Sequence, residues 1–394
     1  MDVSRLCADL VRINSENPPG RTDGVIEYIR GFLESLGIPS TITGRETGKC
    51  NLLTTGTANR LLLCGHVDVV PALSGGWSHP PFSGIIESGL VWGRGSTDMK
   101  GGCASVLSAC ESWVNGGHEI PATLVFVCDE EVGGEDGIQY LLSKNMISPM
   151  DCLIAEPTPV RNPCIGQKGL CRLEMKFEGS PAHGSLYPIV GVSAIMEVMT
   201  LLTYIQRLHE KNFPVDERFQ ELIIRSSEVL KKEFDIPHVG DVLKKLMYNP
   251  GVITGGEKSN IVAQHCNLEL ELRVPWGCSI NELLDGIIAH APHGKVIHQT
   301  THEPSITDPG CSLVSATCAE VKRVYRGEVF PILQWAASDA RHLRRAGFNV
   351  VEYGPGEIST LHAVNERIRI DSLEKASDIY QGILRHYTVK MDSH

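Results

Sequence analysis

Two histidines and five acids, spread over three hundred residues, have the types and surroundings of metal ligands and of a proton acceptor. In LLLCGHVDVVP, His66 and Asp68 stand two apart, so on a strand both side chains leave the same face. A ligating imidazole commonly gives its second ring N–H to a carboxylate, and H-x-D at a strand end supplies that pair. An ordinary surface histidine fits the same segment. In WGRGSTDMKGG, Gly93, Gly95, Gly101 and Gly102 crowd Asp98, as close placement of one carboxylate between two cations would require. The plainer alternative is a glycine-rich turn with an exposed Asp. TLVFVCDEEVGG ends an apolar run in Asp129, Glu130 and Glu131. Metal-assisted hydrolysis needs two acids of different duty there, one to bind metal and one left free to take a proton from water. Glu156 in CLIAEPT follows another apolar run, and His362 in STLHAVNE follows a glycine turn at 354–356. Singly, each segment has a bland structural reading. Together, His66, Asp98, Glu131, Glu156 and His362 are nitrogen and oxygen donors suited to zinc or cobalt. Five ligands exceed what one catalytic zinc takes and Asp98 can bridge, so two metals are the natural count.

The elements that must position these residues read as an α/β layer structure. Residues 22–36 place Val25, Ile26, Ile29, Phe32 and Leu33 at helical spacing, with Gly37 as a stop. Strand-like runs lie at 60–64, 122–128 and 152–155, and 103–114 is rich in small residues, as expected of a helix packed tightly on a sheet. Open α/β sheets carry their sites at the carboxyl ends of strands, where most of the candidates fall. The texture changes near Lys168. Leu173, Met175 and Phe177 alternate with Arg172, Glu174 and Lys176, which predicts an antiparallel strand with one wet face. A helix over 189–208, a poorly periodic stretch to Pro250, a strand over 267–274, a helix over 281–290 and a strand over 295–301 follow. That β-α-β-α-β order is similar to a small α+β ferredoxin-like sandwich inserted in a larger domain. After Pro304 the α/β texture returns, with helices at 312–325 and 339–346, a strand at 349–353 and a last helix after Asp371.

Composition sets the outer bounds. A chain of 394 residues is long for one core, which predicts about two domains. The net charge is −11 with no basic run, which argues against nucleic acid and anionic membranes as partners, and any anionic substrate needs a local positive site. Nowhere do 18 apolar residues run together, and the N-terminus lacks the apolar core of a signal peptide, so a cytoplasmic protein is expected. Thirteen cysteines without C-x-x-C spacing fit reduced, mostly buried thiols.

On these segments the sequence resembles the co-catalytic zinc amidohydrolase family that contains acetylornithine deacetylase, succinyl-diaminopimelate desuccinylase, aminoacylase and glutamate-releasing carboxypeptidase. The motifs occur in the right order along nearly the whole chain. The resemblance implies two Zn²⁺ per subunit, with Co²⁺ or Mn²⁺ as alternatives: His66 and Glu156 on one, Glu131 and His362 on the other, Asp98 bridging through a cis Asp98–Met99 peptide. It implies Glu130 as general base and Asp68 as the residue that orients His66. It also implies a catalytic domain of residues 1–168 and 304–394 around a mostly parallel sheet, with 169–303 as a lid and dimerisation domain of a homodimer. His183 in GSPAHGS would come from that lid to stabilise the oxyanion, a turn histidine with no role being the alternative. Asn260 in SNIVA and Arg273 in ELELRV match substrate-contacting positions, and Arg341 in SDAR is a further candidate, though it could simply be solvated at the start of a basic helix. EPT and GPG are closer to the deacetylase, HAVNE and SDAR to the desuccinylase. The implied reaction is removal of an acyl group from an N-acyl amino acid. A metallo-dipeptidase or carboxypeptidase is the rival within the class, and a binding protein that has lost catalysis is the rival outside it.

Overall fold

Leu61, Leu62, Leu63 and Cys64 are apolar at four successive positions, a pattern suited to a strand covered on both faces. In the computed structural model, which describes residues 2–55, 60–72, 75–235 and 237–389, that run is a strand buried along its whole length. The chain divides into two units, Gly166–Ser305 with Leu333–Ala337 making the second and the rest the first.

The first unit begins with helices α1 (Val3–Arg12) and α2 (Asp23–Ser35) and strands β1 (Ser40–Thr43), β2 (Asn51–Thr54) and β3 (Leu61–His66). A small hairpin of β4 (Ile85–Glu87) and β5 (Leu90–Trp92) leads to helix α3 (Gly101–Asn115), then β6 (Thr123–Val127), α4 (Ile138–Ser143), β7 (Asp151–Pro157) and β8 (Cys164–Gln167). The chain then builds the second unit: β9 (Gly169–Glu178), α5 (Ala194–His209), α6 (Glu217–Phe234), α7 (Asp241–Lys244), β10 (Met247–Gly255), β11 (His265–Val274), α8 (Ile280–Ala289) and β12 (Gly294–His302). It returns through β13 (Ser305–Ile306), α9 (Ser312–Tyr325), β14 (Ile332–Gln334), α10 (Ala340–Arg345), β15 (Asn349–Gly354), β16 (Arg367–Arg369) and α11 (Ile370–Val389).

The main sheet runs β1-β2-β6-β3-β7-β15 before its short outer strands. Its centre is parallel: β3 pairs with β6 and β7, and β15 pairs with β7, all in one direction. Their carboxyl ends therefore lie along one edge, and His66, the 129–131 acids and Glu156 all sit there. Helix α3 packs against this sheet with its glycine end first. A Cβ added to Gly102 would fall inside van der Waals distance of the Ala155 carbonyl oxygen, so the small residues are what let α3 touch β7.

The second unit is an antiparallel sheet in the order β10-β11-β9-β12, the ferredoxin-like arrangement. Leu173, Met175 and Phe177 of β9 join Leu268, Leu270 and Leu272 of β11 under α5 and α8, while Arg172, Glu174 and Lys176 face the other way, as the alternation predicts. Two elements depart from the sequence reading. The poorly periodic stretch contains α6, whose buried face holds Ile223, Ser226, Ser227 and Leu230. Its two serines return their hydroxyls to the carbonyls of Leu222 and Ile223, so polar letters occupy core positions and hide the helical period. The same stretch ends in β10, an exposed edge strand interrupted by Pro250 and Gly251, which carries little apolar alternation to read. Across the described residues no helix is long and apolar enough to cross a membrane, and none of the thirteen cysteines forms a disulfide.

The tight α3–β7 contact yields a paired prediction. Gly102→Ala, which drives a methyl into backbone, should lower the urea unfolding free energy by about 1–3 kcal/mol. Gly31→Ala on the open side of α2, where an added Cβ meets nothing within 4 Å, should be neutral or raise stability by up to about 1 kcal/mol. Equal responses at the two positions would refute the packing argument.

Candidate active site

His66 ends β3 and is buried. Its Nε2 lies 3.0 Å from Asp98 Oδ1 and 3.6 Å from Glu156 Oε1. Its Nδ1 faces the backbone carbonyl of Asp68 at 3.0 Å and the Asp68 carboxylate at 3.6 Å. The other oxygen of Asp98 meets His362 Nε2 at 3.1 Å, and Glu131 Oε2 lies 3.4 Å from the same nitrogen. Two groups result, His66–Asp98–Glu156 and Asp98–Glu131–His362, each with ligand atoms within 4.8 Å of one another and with Asp98 common to both. The five residues singled out as ligands in the sequence are thus brought together. The Asp98–Met99 peptide is cis.

Asp68 does more than face His66. Fully buried, it accepts the backbone N–H of Glu130 at 3.1 Å, that of Glu131 at 3.2 Å, and the side-chain N–H of Asn17 at 2.9 Å. One carboxylate therefore holds the β3 end and the acidic loop after β6 in register. Asp129 opens that loop with φ of 72°, a left-handed conformation that an aspartate tolerates when its side chain is tied down. It is tied: Asn17 donates to it at 3.2 Å, Lys49 Nζ at 3.0 Å and the Asp136 N–H at 3.1 Å, while Lys49 also pairs with Asp136 at 2.7 Å. Those two carboxylates push the Lys49 ammonium well above its usual range, against the opposing pull of burial.

A second tie lies on the other side of Asp98. Glu366 is buried and accepts the N–H groups of Thr97 at 2.9 Å and Asp98 at 3.1 Å, and it pairs with buried Arg94 at 2.6 Å. Arg94 in turn donates to the carbonyls of His362 at 3.2 Å and Ala363 at 3.3 Å. Sequence reasoning passed over Asn17, Lys49, Arg94 and Glu366. Two of the four stand in quoted segments, Arg94 in WGRGSTDMKGG and Glu366 at the end of STLHAVNE, but their partners are distant in sequence.

The electrostatics are those of an acid cluster. Burial pushes the Glu156 and Glu130 carboxyls well above the carboxylate range and raises Glu131; neighbouring acids add to each. Asp98 moves the other way: its hydrogen bonds from His362 and His66 outweigh burial and lower it. Burial alone would lower His66, yet Glu156, Asp68 and Asp98 carry it well above its usual value; His362, beside Asp98 and Glu131, is raised to about 10. A site that draws protons onto both imidazoles is one whose negative potential favours cations, and divalent metal binding displaces such protons. Glu131 Oε1 is buried with no partner, a spare donor atom in the second group. The donor set, the shared Asp98 and that orphan oxygen fit a pair of metal ions.

The remaining predicted residues fall in two places. Arg341, in the first unit, is buried rather than solvated: it donates to the Ser338 carbonyl at 2.9 Å and toward that of Gly133 at 3.4 Å, under the loop carrying Glu130. His183 and Asn260 lie side by side in the second unit, exposed, with the Gly184 N–H on the Asn260 carbonyl at 2.8 Å and the His183 Nδ1 2.8 Å from the Ser185 hydroxyl. Arg273 turns its fork onto Glu271 of the same strand at 2.8 Å, and Glu271 also takes Arg172 at 2.7 Å.

The sequence profile described as peptidase family M20/M25/M40 matches residues 62–386. This chain belongs to that family. It is a hydrolase acting on amide bonds. It is 28% identical to a succinyl-diaminopimelate desuccinylase of Alkalilimnicola ehrlichii over 335 residues, 82% of each chain. It is 26% identical to an acetylornithine deacetylase of Proteus mirabilis over 377 residues, 93% of this chain and 90% of that one. Its fold is similar to that of an M20-family metallo-carboxypeptidase from Sulfolobus solfataricus, with a TM-score of 0.80 at 20% identity over 99% of this chain and 100% of the other. It is also similar to that of a dipeptidase, Dug1p, from Saccharomyces cerevisiae, with a TM-score of 0.74 at 16% identity over 98% and 96%.

The Lys49 tie generates the prediction here. Lys49→Met leaves Asp129 without a cation and Asp136 with only the exposed Arg45 at 3.4 Å, and should cost about 3 kcal/mol in urea unfolding, the lower end of the range for breaking a buried ion pair because Lys49 is partly exposed. A loss under about 0.5 kcal/mol, the usual range for a surface substitution, would mean that the loop does not depend on this pair.

Proposed function

We propose that this hydrolase is a two-metal deacylase that cleaves the amide of an N-acyl amino acid bearing a free carboxylate, with an acetyl or succinyl group as the acyl part. The observation that carries the reading is Asp98, whose two oxygens face two separate ligand groups, with Glu130 adjacent in sequence to the Glu131 of one of them. In this reading His66 and Glu156 hold one ion, Glu131 and His362 the other, and Asp98 both. Zinc is the proposed metal, with cobalt or manganese as substitutes. Such an ion pair lowers the pKa of a shared water and polarises the scissile carbonyl.

The chain's own residues do the rest. Glu130 takes a proton from the attacking water as the C–O bond forms, and returns it to the nitrogen of the leaving amine as the C–N bond then breaks and the carbonyl re-forms. Burial, which raises its proton affinity, suits it to both halves of that transfer. Asp68 keeps His66 in the tautomer whose Nε2 points at the cluster while it fixes the loop on which Glu130 sits. His183 donates to the carbonyl oxygen as charge develops there, Asn260 and Arg273 meet the substrate, and Arg341 is a further substrate contact. A lid and dimerisation role for residues 169–303, a homodimer and a cytoplasmic setting complete the proposal. Support for the deacylase over a peptidase comes from the names of the relatives at 26–28% identity; the dipeptidase and carboxypeptidase neighbours are similar in fold alone.

Two measurements test this. Glu130→Gln should keep two metal ions per chain by elemental analysis while kcat falls by about 10²–10⁴-fold. Near-normal turnover in that variant would remove Glu130 from the role. Exhaustive chelation should abolish hydrolysis of an N-acetyl and N-succinyl amino acid panel, and added zinc or cobalt should restore it. Hydrolysis confined to dipeptides would assign the chain to the peptidase side, and undiminished activity after metal removal would overturn the metal mechanism.

A further inference from the structure

The Arg94–Glu366 pair touches the proposed ligands only through their backbone, at the Asp98 N–H and the His362 carbonyl, and no part of the reaction needs its charge. Yet both side chains are buried, Arg94 2% exposed and Glu366 1%, and the Glu366 carboxylate accepts from the Thr97 and Asp98 N–H groups and pairs with Arg94. Arg94 reaches the carbonyls of His362 and Ala363, and more distantly that of Pro71 at 3.5 Å, with its guanidinium 5.3 Å from the Trp77 ring centroid. His362 itself has φ of 58°, and Asn365 63°, so the short segment that presents His362 is left-handed at two non-glycine positions and needs external restraint. No comparable brace reaches His66 from this pair.

We propose that Glu366 and Arg94 are positioning residues that act as one unit: Glu366 fixes the Thr97–Asp98 backbone, Arg94 fixes the His362 segment, and their pairing sets where His362 stands relative to the carboxylate it shares with the rest of the centre. The inference rests on the two-metal reading above. It is specific to one half of the centre. The His66–Asp98–Glu156 group has its own support in Asp68 and the end of β3, whereas Asp98 and His362 of the other group stand on two loops that this side-chain pair joins, alongside the Thr97 hydroxyl on the Arg367 carbonyl at 2.8 Å and the Gly93 N–H on the Glu366 carbonyl at 2.9 Å.

The test is metal binding itself, followed by calorimetric titration of metal-free protein with zinc and by the absorption spectrum of the cobalt form. In Glu366→Gln the amide oxygen can still accept from Thr97 and Asp98, but its NH₂ faces the N–H groups of Arg94, so the link breaks while the Asp98 side is kept. One of two binding steps should weaken by about 10–100-fold, the usual effect of losing a group that orients a ligand, while the other changes by less than about 3-fold. The weakened step should be the one that His362→Ala abolishes. Arg94→Lys keeps the charge opposite Glu366 but not the fork that spans two carbonyls, and should weaken the same step. Either variant suffices if the other does not fold. Unchanged binding at both steps, or equal weakening of both, overturns the proposal while leaving the two-metal reading intact. A wild-type chain that binds fewer than two ions overturns that reading and this inference with it, a result the variants alone do not produce.

Discussion

The acidic loop after β6 stands where it does because the Asp68 carboxylate accepts from it. A buried carboxylate is costly unless its lone pairs are filled, and here two backbone N–H groups and one amide fill them. The arrangement joins two chain segments that are sixty residues apart in sequence and neighbours in the sheet, β3 and β6 being paired in parallel. Had Asp68 served only to orient His66, a single acceptor atom would have been enough. Its other contacts make the position of Glu130 and Glu131 a consequence of the position of His66.

The same economy of charge runs outward. Three acids, Asp98, Glu131 and Glu156, face two imidazoles at the centre, and just outside it Asp129, Asp136 and Glu366 are buried. Each of the outer acids has a dedicated cation or a set of N–H donors: Lys49 between Asp129 and Asp136, Arg94 on Glu366. Among the described residues no lysine or arginine is ion-paired with the inner acids in this way. A fold that supplies cations to these three carboxylates and not to the inner ones leaves the inner group to be balanced by protons on His66 and His362 or by metal, and these two are in competition. The raised imidazoles and the spare Glu131 oxygen are two expressions of that one imbalance.

What could be read in the sequence follows from where chemistry coincides with local pattern. His66, Glu130, Glu131 and Glu156 were legible because apolar strands end at them, and Asp98 and His362 because glycines surround or precede them. Period-two alternation exposed the two central strands of the second unit, β9 and β11. Asn17, Lys49, Arg94 and Glu366 were illegible for a physical reason: each acts through a partner 51 to 272 residues away, and neither residue of such a pair changes the local pattern around the other. Helix α6 was hidden by Ser226 and Ser227, which fill core positions by bonding their own helix backbone. Residue type alone marks serine as polar and exposed, and only the fold shows otherwise.

The family match fixes the reaction class and leaves the choice of substrate to residues that a fold does not dictate. Arg273 illustrates how such a choice can be set. Its fork is engaged by Glu271, which Arg172 also holds, so the three side chains carry a net charge of +1 with one carboxylate already seated. Under the proposed reading, a substrate carboxylate that takes Arg273 displaces one acid by another. The desolvation of the arginine is then largely met before substrate arrives, and the net gain depends on how well Arg172 alone retains Glu271. A neutral ligand has no such exchange to make: it would leave Arg273 on Glu271 and forgo the contact. Under the proposed reading, then, the pairing would favour substrates with a free carboxylate without requiring a strongly basic surface, which a chain of net charge −11 does not have.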